Sequence, residues 1–236
     1  PGMPPGFWGF ALGGGLMQIV ATLATVALFG ERNFAVGIAF TKTETVLVAL
    51  FSLAVLGEAV TWPGFLAILI GVAGVILLSR PPGAALRLSF RNRATALGLL
   101  AGAGFGASAI GYRGAALALE GGEFFLRAAL TLAVVTVAQS LAMVAWMLWR
   151  DPAELRRVFA KWRVTALVGL TGMLGSLGWF TAFTLQNAAY VRALGQVELV
   201  FSVLVTALVF RERLSGREAG GIAMIAASIL MIVLLT

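Results

Sequence analysis

The 236 residues include no cysteine and no histidine, and Asp151 is the one aspartate beside nine glutamates. These absences remove disulfides, cysteine nucleophiles and zinc sites built on thiolate or imidazole. A Ser-His dyad and a pair of aspartates are equally out of reach, which excludes the intramembrane proteases built on them. Charge is scarce too. Only 11% of the residues are charged and 60% are apolar, against about 25% and about 45–50% in an ordinary soluble domain. The composition predicts a membrane protein whose chemistry runs on Glu, Lys, Arg, hydroxyls, amides and aromatics, with no cofactor and no metal. The net charge of +7 comes from arginines spread over short loops. It offers no solvated basic face, so no nucleic-acid partner is expected. The start lacks a basic n-region and its apolar run is too long for a signal peptide.

A membrane span takes about 17–25 mostly apolar residues, and eight such runs are present: Phe7–Phe29, Phe34–Gly57, Pro63–Ser79, Ala94–Tyr112, Ala128–Trp149, Val164–Leu185, Ala188–Phe210 and Ala219–Leu235. They are continuously apolar and do not alternate with period two, which selects helices over barrel strands. The fold class expected is therefore an all-α polytopic membrane protein. Thr61 before Pro63 reads as a cap ahead of a first-turn proline, and Ser215-Gly216-Arg217-Glu218 has the form of a capping box.

Consecutive loops alternate across the membrane. One side collects Arg32, Arg80, Arg87, Arg91, Arg93, Arg150, Arg156, Arg157, Lys161, Arg163, Arg211, Arg213 and Arg217, thirteen of the seventeen basic residues. By the positive-inside rule that side is cytoplasmic and Thr236 lies on the outer face.

Sliding the chain on itself by 154 residues pairs Asn33 with Asn187, Ala35 with Ala189, Glu44 with Glu198, Leu50 with Leu204, Val55 with Val209, Glu58 with Glu212 and Ile68 with Ile222. An odd number of spans per repeat makes the two copies inverted. The stretch FAVGIAFTKTETVLVALFSLAVLGEAVTWPGFLAILIGVAGVILL resembles the end of an EamA-type unit of the drug/metabolite transporter superfamily. There, an apolar helix closing on Leu-Gly-Glu is followed by a short turn and a Gly-bearing last helix. The stretch GQVELVFSVLVTALVFRERLSGREAGGIAMIAASILMIVLL is similar to the same region of a second unit. The resemblance implies a ten-helix fold of two inverted five-helix repeats that moves small metabolites. On that reading residues 1–80 hold the last three spans of the first repeat, 81–93 an Arg-rich linker and 94–236 the second repeat. The first two spans of the family pattern are expected upstream of Pro1. The family often has cytoplasmic termini, a point on which the arginine count differs.

A charged side chain at the bilayer centre costs about 2.5–3.5 kcal/mol on insertion scales, so such residues default to functional candidates. Lys42, Glu44 and Glu198 lie in the middle of their spans. Residues two apart on a helix of 3.6 residues per turn point about 200° away from each other, so Lys42 and Glu44 are expected on different faces. The functional reading is a midplane cavity holding these three, lined by Thr41, Thr45, Gln196 and Ser202. The competing reading is a buried Lys42–Glu ion pair that only fixes helix register. Tyr190, Trp179 and Arg192 are further candidates. The two rings suit stacking or an aromatic belt, and the arginine suits a ligand or the membrane interface. Burial raises a carboxyl pKa and a nearby cation lowers it, which suits glutamate to proton coupling. Gln18 and Gln139 read as interhelical hydrogen-bond partners. The glycines at 169, 172, 175 and 178, and those at 102, 104 and 106, read as close helix contacts. Glu58 and Glu212 read as caps or anchors.

The function expected is a secondary-active transporter in the inner membrane. It would move a small polar metabolite, such as an amino acid, with export and protons implied and the lipid bilayer as its solvent. The rivals are a membrane-embedded enzyme acting on a lipid headgroup and a structural membrane protein without transport.

Overall fold

The computed structural model describes residues 2–31, 34–78, 92–209 and 215–235. Its regular elements are helices: α1 (Pro5–Phe29), α2 (Phe34–Thr41), α3 (Glu44–Phe51) running into a π-helical turn (Ser52–Leu56), α4 (Trp62–Leu78), α5 (Arg93–Ala118), α6 (Phe124–Arg150), α7 (Pro152–Ala160), α8 (Trp162–Leu185), α9 (Ala188–Gly195), α10 (Val197–Val209) and α11 (Gly216–Leu235). Seven stretches among the described residues are long and apolar enough to cross a membrane: α1, Val36–Leu56, α5, α6, α8, Ala188–Val205 and α11. The eighth expected span, α4, is 17 residues long, the lower limit for a crossing. The chain is thus an all-α polytopic membrane protein. Apolar side chains face outward along these segments. Leu167, Val168, Val205 and Leu208, for example, are exposed, as lipid-facing residues must be.

Two departures from the sequence expectation matter. The run from Phe34 to Gly57 is not one regular helix: it is interrupted at Lys42-Thr43 and widens to a π turn before Gly57, whose φ is 69°. The run from Ala188 is likewise interrupted, at Gln196. And the segment between Arg150 and Trp162, expected as a loop, contains α7. Asp151 caps it by accepting from the Ala153 amide at 3.0 Å, and Pro152 occupies the first turn. Arg157 reaches back to both Glu154 and Asp151. These hydrogen bonds, the Glu154 one first, hold the Arg157 guanidinium above its ordinary pKa. Exposed Trp149, Phe159 and Trp162 surround this short basic helix, the composition of a membrane-interface element.

The chain packs as two compact units. The first comprises Pro1–Ile19 and Gly111–Gln186, the second Val20–Ile110 and Asn187–Thr236, so each draws on both ends of the sequence. In the first unit Gly2 pairs with Glu120 in an isolated bridge, and Gly121 and Gly122 turn the chain into α6 with φ of 75° and 87°. Phe7, Ala128, Thr131 and Val135 are buried there. Gln139 donates to Gln18 at 2.9 Å and to the Gly15 carbonyl at 3.0 Å, while the Tyr112 hydroxyl donates to Gln18. The two glutamines are therefore interhelical partners as expected. Arg113 is buried with its guanidinium donating to the carbonyls of Phe183 (2.6 Å) and Gln186 (2.7 Å).

In the second unit α4 and α11 lie face to face. A Cβ on Gly74 would stand 2.8 Å from the Met224 Cβ and 2.9 Å from the Gly221 carbonyl oxygen. Leu28, Val48, Ile68, Val75 and Ile225 are buried in this unit. The caps read from the sequence are in place: Gly64 donates to Thr61 Oγ1 at 3.2 Å, and Ser215 and Glu218 bond reciprocally. Glu58 closes the π turn, its amide donating to the Ser52 carbonyl and its carboxylate accepting from Ser52 Oγ. Glu212 lies outside the described residues. Of the two glycine series expected at close contacts, the α5 one makes them and the α8 one does not. A Cβ on Gly102 would stand 3.0 Å from the Thr41 carbonyl oxygen, and one on Gly106 3.3 Å from Val48 Cγ2. Nothing stands within 4 Å of a Cβ on Gly169, Gly172, Gly175 or Gly178, so these four do not pack helices together.

Candidate functional site

The interruption at Lys42-Thr43 arises from local competition for backbone groups. Thr41 Oγ1 donates to the Ile38 carbonyl at 2.7 Å and Thr43 Oγ1 to the Phe40 carbonyl at 2.7 Å. The amides of Lys42 and Thr43 bond three residues back, to Ala39 and Phe40. Threonine side chains thus take up carbonyls that a continuous helix would have used. At Gln196 the amide again bonds three residues back, to Ala193 at 3.2 Å, and Leu199 bonds to the Gln196 carbonyl. Lys42 and Gln196 are 154 residues apart, the same offset as the repeat. The two interrupted helices therefore break at positions related by the offset that aligns the sequence with itself.

Each break places a carboxylate where a helix begins again. Glu44 is in the first turn of α3 and Glu198 in the first turn of α10, while Arg192 is in the last turn of α9. The positive end of a helix dipole stabilises an anion and the negative end a cation. This compensates charges that would otherwise be costly at such depth. Glu44 Oε1 and Arg192 Nε approach to 2.8 Å, off the hydrogen-bond axis, with the two side chains about one-fifth exposed, 19% and 23%. Lys42 and Glu198 also act electrostatically on Glu44. The four charges thus form one cluster within the second unit.

The placement of the expected residues divides clearly. The ion-pair partner of Glu44 is Arg192, while Lys42, its partner in the competing reading, acts on it electrostatically. The expected separation of Lys42 and Glu44 on opposite faces assumed a continuous helix, and the helix is interrupted between them. Thr45 is buried and accepts from Gln196 Nε2 at 2.8 Å. Gln196 sits one helical turn beyond Arg192, so α9 lays an arginine and an amide onto the adjacent Glu44 and Thr45. Thr41 turns its hydroxyl to its own helix. Ser202 is exposed and donates to the Glu198 carbonyl at 2.9 Å, and Glu198 is exposed as well. Tyr190 is buried. Its hydroxyl accepts from the Thr61 amide at 2.9 Å and its ring lies against Gly64, so it ties α9 to α4. Trp179 belongs to the first unit, where it stands against Phe183 at 5.7 Å.

Removing the Tyr190 hydroxyl tests this anchor. Tyr190→Phe is expected to cost about 0.5–1.5 kcal/mol, the net value of a hydrogen bond, read as a fall of about 2–4 °C per kcal/mol in the thermal midpoint of the purified protein.

Gln196, expected from the sequence, is joined in the polar cluster by Ser228, which was not. Gln196 Oε1 and Ser228 Oγ are buried without a hydrogen-bond partner. They stand 3.0 and 2.7 Å from the Cβ position of Gly71. Only a residue without a side chain lets both approach α4, and Ser228 offers no signal of this in an otherwise small and apolar helix.

Comparison with known proteins places this arrangement. No curated protein matches the chain. A solved crystal structure, described only as that of a protein, superposes with a TM-score of 0.68 over 98% of this chain and 77% of its own, at 17% identity. At that identity the likeness is one of fold. Residues 93–234, more than half of the sequence, match the EamA-like transporter family, and the chain belongs to that family of membrane transporters.

Proposed function

We propose that the chain is a secondary-active transporter that exports a small zwitterionic metabolite, such as an amino acid, through alternating access centred on the Glu44–Arg192 pair. The observation that carries this reading is the pair of helix breaks at positions related by that offset, each with its carboxylate on the following half-helix. In transporters built from repeats, such interrupted helices mark the binding site. The domain reading follows from the same repeat: the last three spans of one inverted unit, a linker, and a second unit of five.

The chemistry is one of exchange. Arg192 offers a planar fork suited to a carboxylate, and Glu44 Oε1 lies beside its Nε at 2.8 Å. A substrate carboxylate competes for the same guanidinium, and a proton on Glu44 releases it. Glu198, across the break from Gln196, supplies a site for the substrate ammonium. Lys42 keeps the cluster's total charge low, and Gln196 and Thr45 fix the register between α9 and α3. Protonation of Glu44 thus couples proton entry to substrate exit. The Arg-rich loops face the cytoplasm of the inner membrane on this reading.

The test uses the full chain in proteoliposomes loaded with a radiolabelled mixture of the common amino acids. An imposed pH gradient is expected to drive label across the membrane, and Glu44→Gln and Glu198→Gln are each expected to abolish the gradient-driven part. Undiminished flux in both variants would remove the carboxylates from the mechanism.

A further inference from the structure

The first unit holds a partly open pocket of about 200 Å³ between α6 and α8, with Gln18 of α1 in its wall and Thr136, Gly172 and Met173 at its exposed side. Its wall is mixed in character. Gln18 and Gln139 present amides, Thr136 and Ser176 hydroxyls, and Phe180 a ring, while Gly172 leaves part of the α8 wall without side chains. Phe180 is stacked on Tyr112 at 4.4 Å, and Tyr112 is hydrogen-bonded to Gln18, so the ring and the amides are held as one assembly. No charged side chain lines the cavity.

These features constrain the occupant. The amides already bond to each other, to Tyr112 and to the Gly15 carbonyl, but a hydrocarbon chain would offer nothing further to this polar wall, which in the membrane favours an occupant with a polar group of its own. A lipid tail therefore does not suit this wall. An ion does not suit it either, because there is no countercharge to meet it. An apolar cavity of about 150 Å³ accepts benzene, so about 200 Å³ accommodates a single ring with one small polar substituent.

We infer that this cavity binds an uncharged, ring-sized molecule bearing an amide-like donor and acceptor. The ring lies against Phe180 and the polar group is read by Gln139, Thr136 and Ser176. None of these residues belongs to the Glu44–Arg192 cluster, so the inference stands apart from the transport reading.

Benzamide is the probe. Saturation-transfer difference NMR on the full chain in lipid nanodiscs should show saturable binding that empty nanodiscs do not show, and the cationic analogue benzamidine should bind at least tenfold more weakly. Gly172→Leu fills the cavity from a position where a Cβ meets nothing within 4 Å, so the variant folds; it should weaken benzamide at least tenfold. Gly175→Leu, on the same helix and equally unobstructed but outside the lining, should leave binding unchanged. Equal signal from empty nanodiscs, equal binding of benzamidine, indifference to Gly172→Leu, or equal weakening by Gly175→Leu would each overturn the assignment.

Discussion

Arg192→Met is expected to destabilise the protein by about 3 kcal/mol and to abolish transport. Removing one member of a buried ion pair typically costs about 3–5 kcal/mol, because the partner charge is left uncompensated. The one-fifth exposure of both side chains favours the lower end. Glu44→Gln leaves the guanidinium as the orphan and is expected to behave similarly, although Glu198 compensates part of the loss. The informative variant is the double one. Glu44→Gln with Arg192→Met replaces two charges by neutral groups of similar volume, and such replacements are often neutral in stability. Denaturation of the four proteins in detergent should therefore show the double variant within about 1 kcal/mol of the parent, well above either single variant. If the pair only fixed helix register, the recovered fold would transport. On the present account it does not, because the exchange of a carboxylate for Glu44 at Arg192 is the mechanism itself.

The second large effect is structural. Gly74→Ala should cost about 1–3 kcal/mol, the usual penalty for overfilling a packed contact. The atoms a new Cβ would meet, the Met224 Cβ and the Gly221 carbonyl oxygen, are not the far ends of flexible side chains. Gly74→Leu should push α4 off α11 and prevent accumulation of the folded protein. The opposite is expected on α8: Gly175→Ala meets empty space, and replacing glycine by alanine in a helix interior favours the helix by about 0.8–1.0 kcal/mol. Parallel thermal denaturation of Gly74→Ala and Gly175→Ala should thus move the midpoint in opposite directions. Equal shifts would mean that α4 and α11 do not meet as described.

These two predictions mark what the sequence makes legible and what it does not. Hydropathy places every long helix, since apolar length is a one-dimensional property, and the repeat offset places Glu44 opposite Glu198 in register. It also finds Gln18 with Gln139, because an isolated amide in an apolar span must find a partner. The helix breaks are invisible to the same window. Lys42-Thr43 contains neither proline nor glycine, and the interruption comes from hydroxyls of Thr41 and Thr43 taking the Ile38 and Phe40 carbonyls that a continuous helix would have used. The identity of Glu44's partner is a fact of tertiary packing, set by α9 lying along α3, and Arg192 at a span end gave no hint of it. Glycine patterns are legible only in part. The regular series in α8 looks like a contact stripe but meets no neighbour within 4 Å, whereas Gly102 and Gly106 of the α5 series do stand against Thr41 and Val48, and Gly64, Gly71, Gly74 and Gly221 add contacts with no common spacing. In α7, by contrast, Asp151-Pro152 is a readable cap and first-turn proline, overlooked because the helix is far too short to span a membrane.

The most direct test of the account is counterflow of a radiolabelled amino-acid mixture in proteoliposomes, comparing the parent chain with the Glu44→Gln/Arg192→Met double variant at equal folded protein. The account predicts accumulation of label by the parent and none above empty liposomes by the double variant. Equal accumulation by the two would contradict it.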